Sequence, residues 1–251
     1  MRIIISPAKK MNHDPYCPVP AQLPAFLERT QQLKATLQAM DAPALQQLWK
    51  CNDSLAQLNV ERLATMDLTH GLTPAIFSYE GIQYRYMAPS VMEESQLHYI
   101  QKHLRIVSGF YGLLRPLDGV TPYRLELQAK LAVGNHKNLY SFWGDTLSHL
   151  LGQETDCILN LASNEYSRGI LPHLPDHMTA ITCTFAQQVG EKLVEKGTMC
   201  KMARGQMVRW MAENHITAPD QLCQFDQLDY RYSDTHSSPT QLVFIQNTPQ
   251  L

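Results

Sequence analysis

Several motifs that define common enzyme and cofactor classes do not occur in this sequence of 251 residues. There is no G-x-x-x-x-G-K-[ST] P-loop and no G-x-G-x-x-G fingerprint, and the H-E-x-x-H, G-x-S-x-G and EF-hand patterns are also missing. The six cysteines are scattered without a C-x-x-C pair, which argues against zinc and redox motifs and favours a reducing compartment. The common nucleotide-binding, zinc-protease and hydrolase classes therefore lose most of their support.

Long apolar runs and a strong net charge are missing as well. No apolar run approaches the ~18 residues of a membrane-spanning helix, and no signal-peptide core is visible. A cytoplasmic protein without a membrane partner is therefore expected. The formal net charge is only −2, so nucleic-acid binding would need a local basic patch. Apolar residues make up 44% of the chain, which is enough for the core of one compact domain over residues 1–251.

Short apolar runs predict the strands of a buried sheet. The clearest runs cover residues 2–5, 104–107, 156–161, 178–185 and 242–245, and weaker patterns suggest strands at 74–78, 129–133 and 191–194. Apolar residues at helical spacing predict a helical layer over about 25–66 and helices over 95–103 and 198–214. The pattern indicates an α/β protein with a mixed central sheet wrapped by helices.

Side chains that can bind anions or transfer protons follow three of these strands. They are Lys9 and Lys10 after the first, Arg115 and Arg124 in the Gly- and Pro-broken loop after the second, and Glu165, Tyr166 and Arg168 after the third. If these strands are parallel neighbours, their ends converge on one edge of the sheet. Lys201 and Arg204 stand at i, i+3 on the last long helix and could hold phosphates. Ordinary solvated charges and local ion pairs remain the alternative for each of them.

Six ordered blocks of the sequence resemble the YaaA family of bacterial peroxide-stress proteins. The blocks are residues 5–9 (ISPAK), 104–118 (LRIVSGFYGLLRPLD), 122–126 (PYRLE), 138–144 (NLYSFWG), 160–166 (NLASNEY) and 203–205 (ARG). They extend from the first predicted strand into the last long helix, so the resemblance covers nearly the whole chain.

The resemblance implies a cytoplasmic protein of the oxidative stress response that limits iron-dependent damage. It also implies a cantaloupe-like α/β fold, and DNA binding through a basic cleft and a helix-hairpin-helix-like element. The cleft would be similar in character to the sites of DNA glycosylases with lyase activity.

The sequence departs from the family pattern in two places. A helix-hairpin-helix turn usually contains G-x-G, which is missing here, and residues 109–112 are the nearest candidate. The family often has Lys where this chain has Arg168, and a guanidinium cannot serve as an amine nucleophile. Lys9 and Lys201 are then left as candidates for a Schiff base.

Three hypotheses follow. The first is that the protein binds duplex or distorted DNA. It would do so as a monomer and without a cofactor. The phosphate-binding candidates are Lys9, Lys10, Arg115, Arg124, Arg168, Lys201 and Arg204. Tyr111 or Tyr166 would stack on a base, and binding would be salt-sensitive and largely independent of sequence.

The second hypothesis is an enzyme acting on a nucleoside or damaged base. Lys9 would be the nucleophile, Glu165 or Glu126 would handle protons, and Tyr166 would complete the catalytic set. The third is direct iron binding, which has ligand types in the sequence but no metal-ligand spacing. DNA binding ranks first, and no metal site is predicted.

Overall fold

The computed structural model describes residues 1–19, 21–190 and 192–246. The strands are β1 Arg2–Ile5, β2 Lys10–Met11, β3 Thr73–Pro74, β4 Tyr79–Glu80, β5 Leu104–Ser108, β6 Gly112–Leu114, β7 Gly119–Val120, β8 Cys157–Asn160, β9 Thr179–Val189, β10 Lys192–Val194, β11 Tyr230–Tyr232 and β12 Gln241–Gln246. The α-helices are α1 Leu27–Gln38, α2 Ala42–Trp49, α3 Asp53–Thr65, α4 Ala75–Ser78, α5 Ile82–Met87, α6 Glu94–His103, α7 Leu139–Trp143, α8 Thr146–Glu154, α9 Asn164–Ser167 and α10 Gly197–Glu213.

One mixed sheet of eight strands organises the chain. Its order is β11-β12-β9-β8-β1-β5-β6, and β10 pairs with the end of β9. The five strands from β12 to β5 in this order are mutually parallel, whereas β6, β10 and β11 run antiparallel to their neighbours. Parallel strands are usually covered on both faces, and Ile3, Ile4 and Ile5 of β1 are fully buried at the sheet centre. The predicted α/β class with a mixed central sheet is confirmed.

The predicted helical layer forms as α1, α2 and α3. Asp41 caps α2 by accepting a hydrogen bond from Ala44 N at 2.9 Å, and Asn52 caps α3 by accepting one from Leu55 N at 3.0 Å. Such caps satisfy backbone N–H groups that a helix start leaves unpaired. The layer buries Leu33 and other apolar side chains against the core.

The long helix α10 lies across β9 and packs closely on α5. A Cβ atom built on Gly205 would stand 2.0 Å from the carbonyl oxygen of Gln83 in α5. Only glycine allows this approach of two backbones. The small residue that the sequence places in the middle of this helix is therefore explained by packing.

Three local predictions are wrong. Residues 74–78 form the end of β3 and the helical turn α4 instead of a strand, and residues 129–133 form a loop with one bridge, Val133 to His136. Residues 109–112 join β5 to β6 as a β-hairpin, so they do not connect two helices and cannot be a helix-hairpin-helix turn. In the first two segments, burial of Ile76, Leu131 and Val133 produces the apolar pattern without strand pairing.

Candidate functional site

The carboxyl ends of β1 and β8 meet at one edge of the sheet, which we call the carboxyl edge. Ser6 follows β1 and Ser163 follows β8. The Ser6 hydroxyl accepts a hydrogen bond from Ser163 N at 2.8 Å and donates one to the Ser163 hydroxyl at 3.2 Å. Ser163 occupies the N-cap position of α9, but its side chain makes no cap hydrogen bond. The two serines therefore tie two strand ends together.

Lys9 and Glu126 form an ion pair at this edge. Lys9 Nζ lies 2.8 Å from Glu126 Oε1, and Arg124 Nη2 approaches the same oxygen at 3.8 Å. Arg124 is held from its other side because its Nε and Nη2 each donate to the carbonyl oxygen of Trp49 at 3.3 Å. The Lys9 side chain is 63% exposed, whereas that of Arg124 is only 12% exposed. Lys9 can therefore reach a ligand more easily than Arg124 can.

Glu165 is a second carboxylate in this group. Its Oε1 accepts a hydrogen bond from Gln128 N at 3.3 Å. Burial raises the pKa of Glu165, and the negative charge of Glu126 raises it further, while the Gln128 hydrogen bond and the Lys9 charge act in the opposite direction. Glu165 is therefore easier to protonate than an exposed glutamate, as a proton carrier requires.

Arg168 reaches the same edge through Tyr140. The guanidinium carbon of Arg168 lies 5.6 Å from the centre of the Tyr140 ring, within cation–π range. The Tyr140 hydroxyl donates to the carbonyl oxygen of Glu165 at 2.9 Å. These two contacts connect the exposed Arg168 to the backbone of Glu165.

Lys10 follows Lys9 in the chain, is the first residue of β2 and is exposed. Its ammonium forms an ion pair with Glu80 of the neighbouring strand β4. Four predicted cations, Lys9, Lys10, Arg124 and Arg168, thus come from three separate segments to one edge.

The two tyrosines predicted to stack on a base are buried. Tyr111 is fully buried, and Tyr166 is 7% exposed. Burial also raises the pKa of Tyr166 far above its ordinary range, so this phenol stays neutral. Neither ring presents a face to a base in this structure, and the half-buried Tyr140 is the aromatic residue nearer the surface of this edge.

Beneath the edge, three hydroxyl groups form a buried chain. The Tyr123 hydroxyl lies 2.6 Å from the Ser108 hydroxyl and 2.8 Å from that of Tyr79. Burial raises the pKa of Tyr123 to about 12. This network is neutral, and it fixes the loop that carries Arg124 to the end of β5.

Arg115 lies at the opposite edge of the sheet. The hairpin from β5 to β6 reverses the chain, so Arg115 follows β6 at the edge where β1 and β5 begin. Its Nη2 lies 3.4 Å from Glu154 Oε1. The expectation that all seven cations line one groove is therefore wrong for Arg115.

Lys201 and Arg204 stand on the α10 flank. Arg204 is 15% exposed, and its Nη2 lies 3.9 Å from Glu195 Oε2. Lys201 is exposed. Within the described ranges, no hydrogen bond or ion pair joins either residue to Lys9 or Glu126. The structure thus does not place them in the same charged group.

The residues that sequence analysis left out of the site are Ser6, Ser163, Gln128 and Tyr140. Ser6 follows β1 directly, and Ser163 is the third residue after the end of β8, so their positions near strand ends were a usable signal. Tyr140 and the backbone of Gln128 belong to segments that reach the edge only through the tertiary fold, and no spacing in the sequence reveals them.

Across residues 1–19, 21–190 and 192–246, no three His, Cys, Asp or Glu side chains are grouped as metal ligands would be. In the same part of the chain, no helix combines the length and apolar character that crossing a bilayer demands.

The sequence is similar to that of a known protein family. The profile of a family described as "Peroxide stress protein YaaA" matches residues 1–236. The chain belongs to the YaaA family. UPF0246 proteins are similar over nearly their whole length: that of Lachnoclostridium phytofermentans is 51% identical over 98% of this chain and 96% of its own. The UPF0246 protein of Lactiplantibacillus plantarum is 50% identical over 98% of this chain and 99% of its own.

The match to the YaaA family confirms the resemblance predicted from the six blocks. Four of these blocks contribute to the carboxyl edge, namely those that contain Lys9, Glu126, Tyr140 and Glu165. The chain is therefore a member of a family of peroxide stress proteins.

Proposed function

We propose that the carboxyl edge binds the sugar-phosphate backbone of DNA during the peroxide stress response. The observation that supports this proposal is the meeting of Lys9, Lys10, Arg124 and Arg168 at one edge, although the whole chain has a net charge of −2. Lysine and arginine contacts to phosphates supply sequence-independent affinity by releasing counterions.

Carboxylates at the same edge limit this affinity. Lys9 and Arg124 share Glu126, and Lys10 pairs with Glu80. A phosphate contact to Lys9, Lys10 or Arg124 therefore competes with an internal ion pair. In the part of the chain that the structure describes, Arg168 has no ion-pair partner and contacts the Tyr140 ring. Moderate and strongly salt-dependent binding is expected, with preference for flexible or unpaired DNA that can follow an uneven charged surface.

A titration of duplex and bubble-containing DNA at several NaCl concentrations tests the proposal. The expected result is a linear fall of log affinity with log salt concentration for both, steep enough for about two to four phosphate contacts. A flat salt response would contradict it. If the protein binds DNA as proposed, it limits iron-dependent damage by covering DNA, without binding iron directly.

A second candidate function is lyase-type chemistry on abasic DNA, because Lys9 lies 2.8 Å from Glu126 and close to the easily protonated Glu165. In this reaction the Lys9 amine would attack C1′ of the ring-opened sugar, and loss of water would give an imine. Glu165 would hold the proton that leaves the amine or reaches the departing oxygen.

Borohydride trapping tests this chemistry because it reduces the imine to a stable secondary amine. A covalent adduct in the wild type that disappears in Lys9→Arg would support the reaction. An adduct that persists in Lys9→Arg and is lost in Lys201→Arg would move the nucleophile to α10. No adduct in the wild type, together with salt-dependent binding, would leave DNA as a ligand only.

A further inference from the structure

Three arginines surround one glutamate at the edge of the sheet opposite Lys9, which we call the amino edge. Arg2 Nε lies 3.0 Å from Glu154 Oε2, and Arg105 Nη2 lies 2.7 Å from the same oxygen. Arg115 Nη2 lies 3.4 Å from Glu154 Oε1. β1 and β5 are parallel neighbours in which Arg105 lies opposite Ile4, so Arg2 and Arg105 are on the same face of the sheet, two residues apart in register.

The charges of this group do not balance. Three guanidinium groups share one carboxylate, and Lys102 lines the same cleft. The charges of Arg105, Arg115 and Glu154 also act on the carboxyl of Asp118, and burial raises its pKa to about 6. Its Oδ2 is already occupied, since it accepts the backbone N–H of Arg115 at 2.8 Å. Like charges a few ångströms apart repel one another, so the amino edge has an excess of positive charge that an anion would neutralise.

Arg105 is the buried and rigidly held member of this group. Its side chain is 4% exposed, its Nε donates to Glu154, and its Nη1 donates to the carbonyl oxygens of Gln101, Lys102 and Leu104 at 3.3, 3.4 and 2.7 Å. This arginine therefore holds Glu154 in place and has little capacity for a ligand.

Arg2 and Arg115 have donors to spare. A guanidinium carries five N–H donors. Among the described residues, the Arg2 side chain uses only Nε, and that of Arg115 makes only the long contact to Glu154. The Arg115 side chain is 51% exposed, so its remaining donors face the solvent side of the cleft. Two planar groups with free N–H pairs suit bidentate contacts to phosphate oxygens.

The space between these side chains is an open cleft of about 550 Å3. Besides the charged residues, its lining consists of the amide side chains of Gln22, Gln101 and Gln153. Among the described residues, Glu154 is the only acidic side chain that lines it, and that carboxylate is already surrounded by arginines. The cleft has room for a ligand larger than a single phosphate.

The pKa of His103 also reflects the positive charge of this region. Burial lowers its pKa, and the charges of Arg2, the amino terminus and Lys102 lower it further. Its Nδ1 contacts the carbonyl oxygen of Met1 at 3.1 Å. Three cationic groups thus act together on a residue that is not part of the arginine group.

We propose that the amino edge is a binding site for a small multivalent phosphate anion, with Arg2, Arg115 and Lys102 as its ligands and Arg105–Glu154 as their support. This site is separate from the carboxyl edge and does not depend on DNA binding there. Its ligand class is a diphosphate group, either free or as part of a nucleoside diphosphate.

Calorimetric titration of the full chain at low ionic strength tests this proposal. Inorganic pyrophosphate should bind, and orthophosphate should bind more weakly because it spans fewer donors. Arg115→Gln should weaken pyrophosphate binding at least about tenfold, since it removes charge-assisted hydrogen bonds to the anion. Lys102→Gln should weaken it less. Arg209→Gln, which removes an equal charge from an exposed i, i+4 pair on α10, should leave it unchanged.

Titration with ADP separates the two sources of a diphosphate. Equal affinity for ADP and pyrophosphate indicates that the diphosphate alone is recognised, and tighter binding of ADP indicates a nucleotide. Absence of pyrophosphate binding to the wild type would overturn the proposal. So would binding that survives both Arg115→Gln and Lys102→Gln, provided that each variant retains the melting temperature of the wild type.

Discussion

Lys9 and Glu126 are far apart in the sequence, yet Lys9 Nζ and Glu126 Oε1 lie 2.8 Å apart at the carboxyl edge. The pair exists because β1 and β5 are parallel, and because the chain returns to the end of β5 after the hairpin with β6. Glu126 also faces Arg124, so a single carboxylate offsets two of the four cations at this edge.

Glu126→Gln should strengthen DNA binding. The substitution removes a negative charge that would repel phosphates and releases Lys9 and Arg124 from their shared partner. A partly exposed ion pair contributes on the order of 1 kcal/mol, so an increase in affinity of roughly three- to tenfold is expected at low salt. Fluorescence anisotropy with a labelled bubble duplex measures it.

Glu213→Gln is the matched control because Glu213 pairs with Arg209 on the exposed surface of α10. It removes the same charge away from the carboxyl edge and should change the affinity little. Weaker binding of Glu126→Gln than of the wild type would show that Glu126 positions a cation instead of competing for it.

DNA affinity should rise as the pH falls through the raised pKa of Glu165. Protonation of Glu165 removes a negative charge beside Lys9. Burial and the negative charge of Glu126 raise the pKa of Glu165, so it is protonated at a higher pH than an exposed glutamate. Glu165→Gln should bind more tightly than the wild type at pH 8, and the difference should shrink towards pH 5. A difference that stays constant over this range would contradict the assignment of the titration to Glu165.

Asp118→Asn should alter the pH dependence of stability. Burial raises the pKa of Asp118 from 3.8 to about 6, so the folded state favours the protonated carboxyl. This stabilising contribution is complete below about pH 4 and is lost as the pH rises through 6. The loss amounts to at most about 3 kcal/mol.

Urea unfolding at pH 4 and pH 7 measures this effect. In the wild type, Asp118 Oδ2 accepts a hydrogen bond from Arg115 N at 2.8 Å. The amide of the variant cannot ionise, but its carbonyl oxygen can still accept this hydrogen bond. The free energy of unfolding of Asp118→Asn minus that of the wild type should therefore be more positive at pH 7 than at pH 4. An equal difference at both pH values would show that folding does not raise the pKa of Asp118.

Gly205→Ala should destabilise the fold strongly. The new methyl group would collide with the Gln83 carbonyl oxygen, which lies 2.0 Å from the ideal Cβ position, so α10 and α5 would have to separate. Overpacking of this kind costs about 1–3 kcal/mol or more. A fall in the denaturation midpoint is expected.

Gly197→Ala is the matched control for the helix. Gly197 is the first residue of α10, and a Cβ built there meets no atom within 4 Å among the described residues. Alanine also has the higher helix propensity, so this variant should be as stable as the wild type or slightly more stable. Similar losses in both variants would show that helix propensity, and not the contact with α5, explains the glycine.

The parallel core of the sheet could be predicted from the sequence because its strands are continuous apolar runs with polar residues directly after them. Lys9 and Glu165 were correctly expected at one edge for this reason. Arg115 was misplaced because the loop containing Gly109 and Gly112 gives no sign that it reverses the chain into a β-hairpin. One antiparallel turn moves the next cation to the opposite edge.

Contacts that arise only from tertiary packing could not be predicted. Tyr140 meets Glu165 through a helix, α7, whose position depends on burial of Phe142 and Trp143. Leu131 and Val133 show the alternation of a strand because alternate side chains are buried, although the backbone forms a loop. Periodicity therefore predicts which side chains are buried more reliably than which strands pair.

The salt dependence of DNA binding by Lys9→Gln tests the central proposal most directly. If Lys9 contacts a phosphate, the variant should bind duplex and bubble DNA more weakly by a similar factor, and the slope of log affinity against log salt should fall by about 0.9. Arg209→Gln, which removes the same charge from α10, should keep the wild-type slope. An unchanged slope in Lys9→Gln, or an equal fall in both variants, would contradict DNA binding at the carboxyl edge.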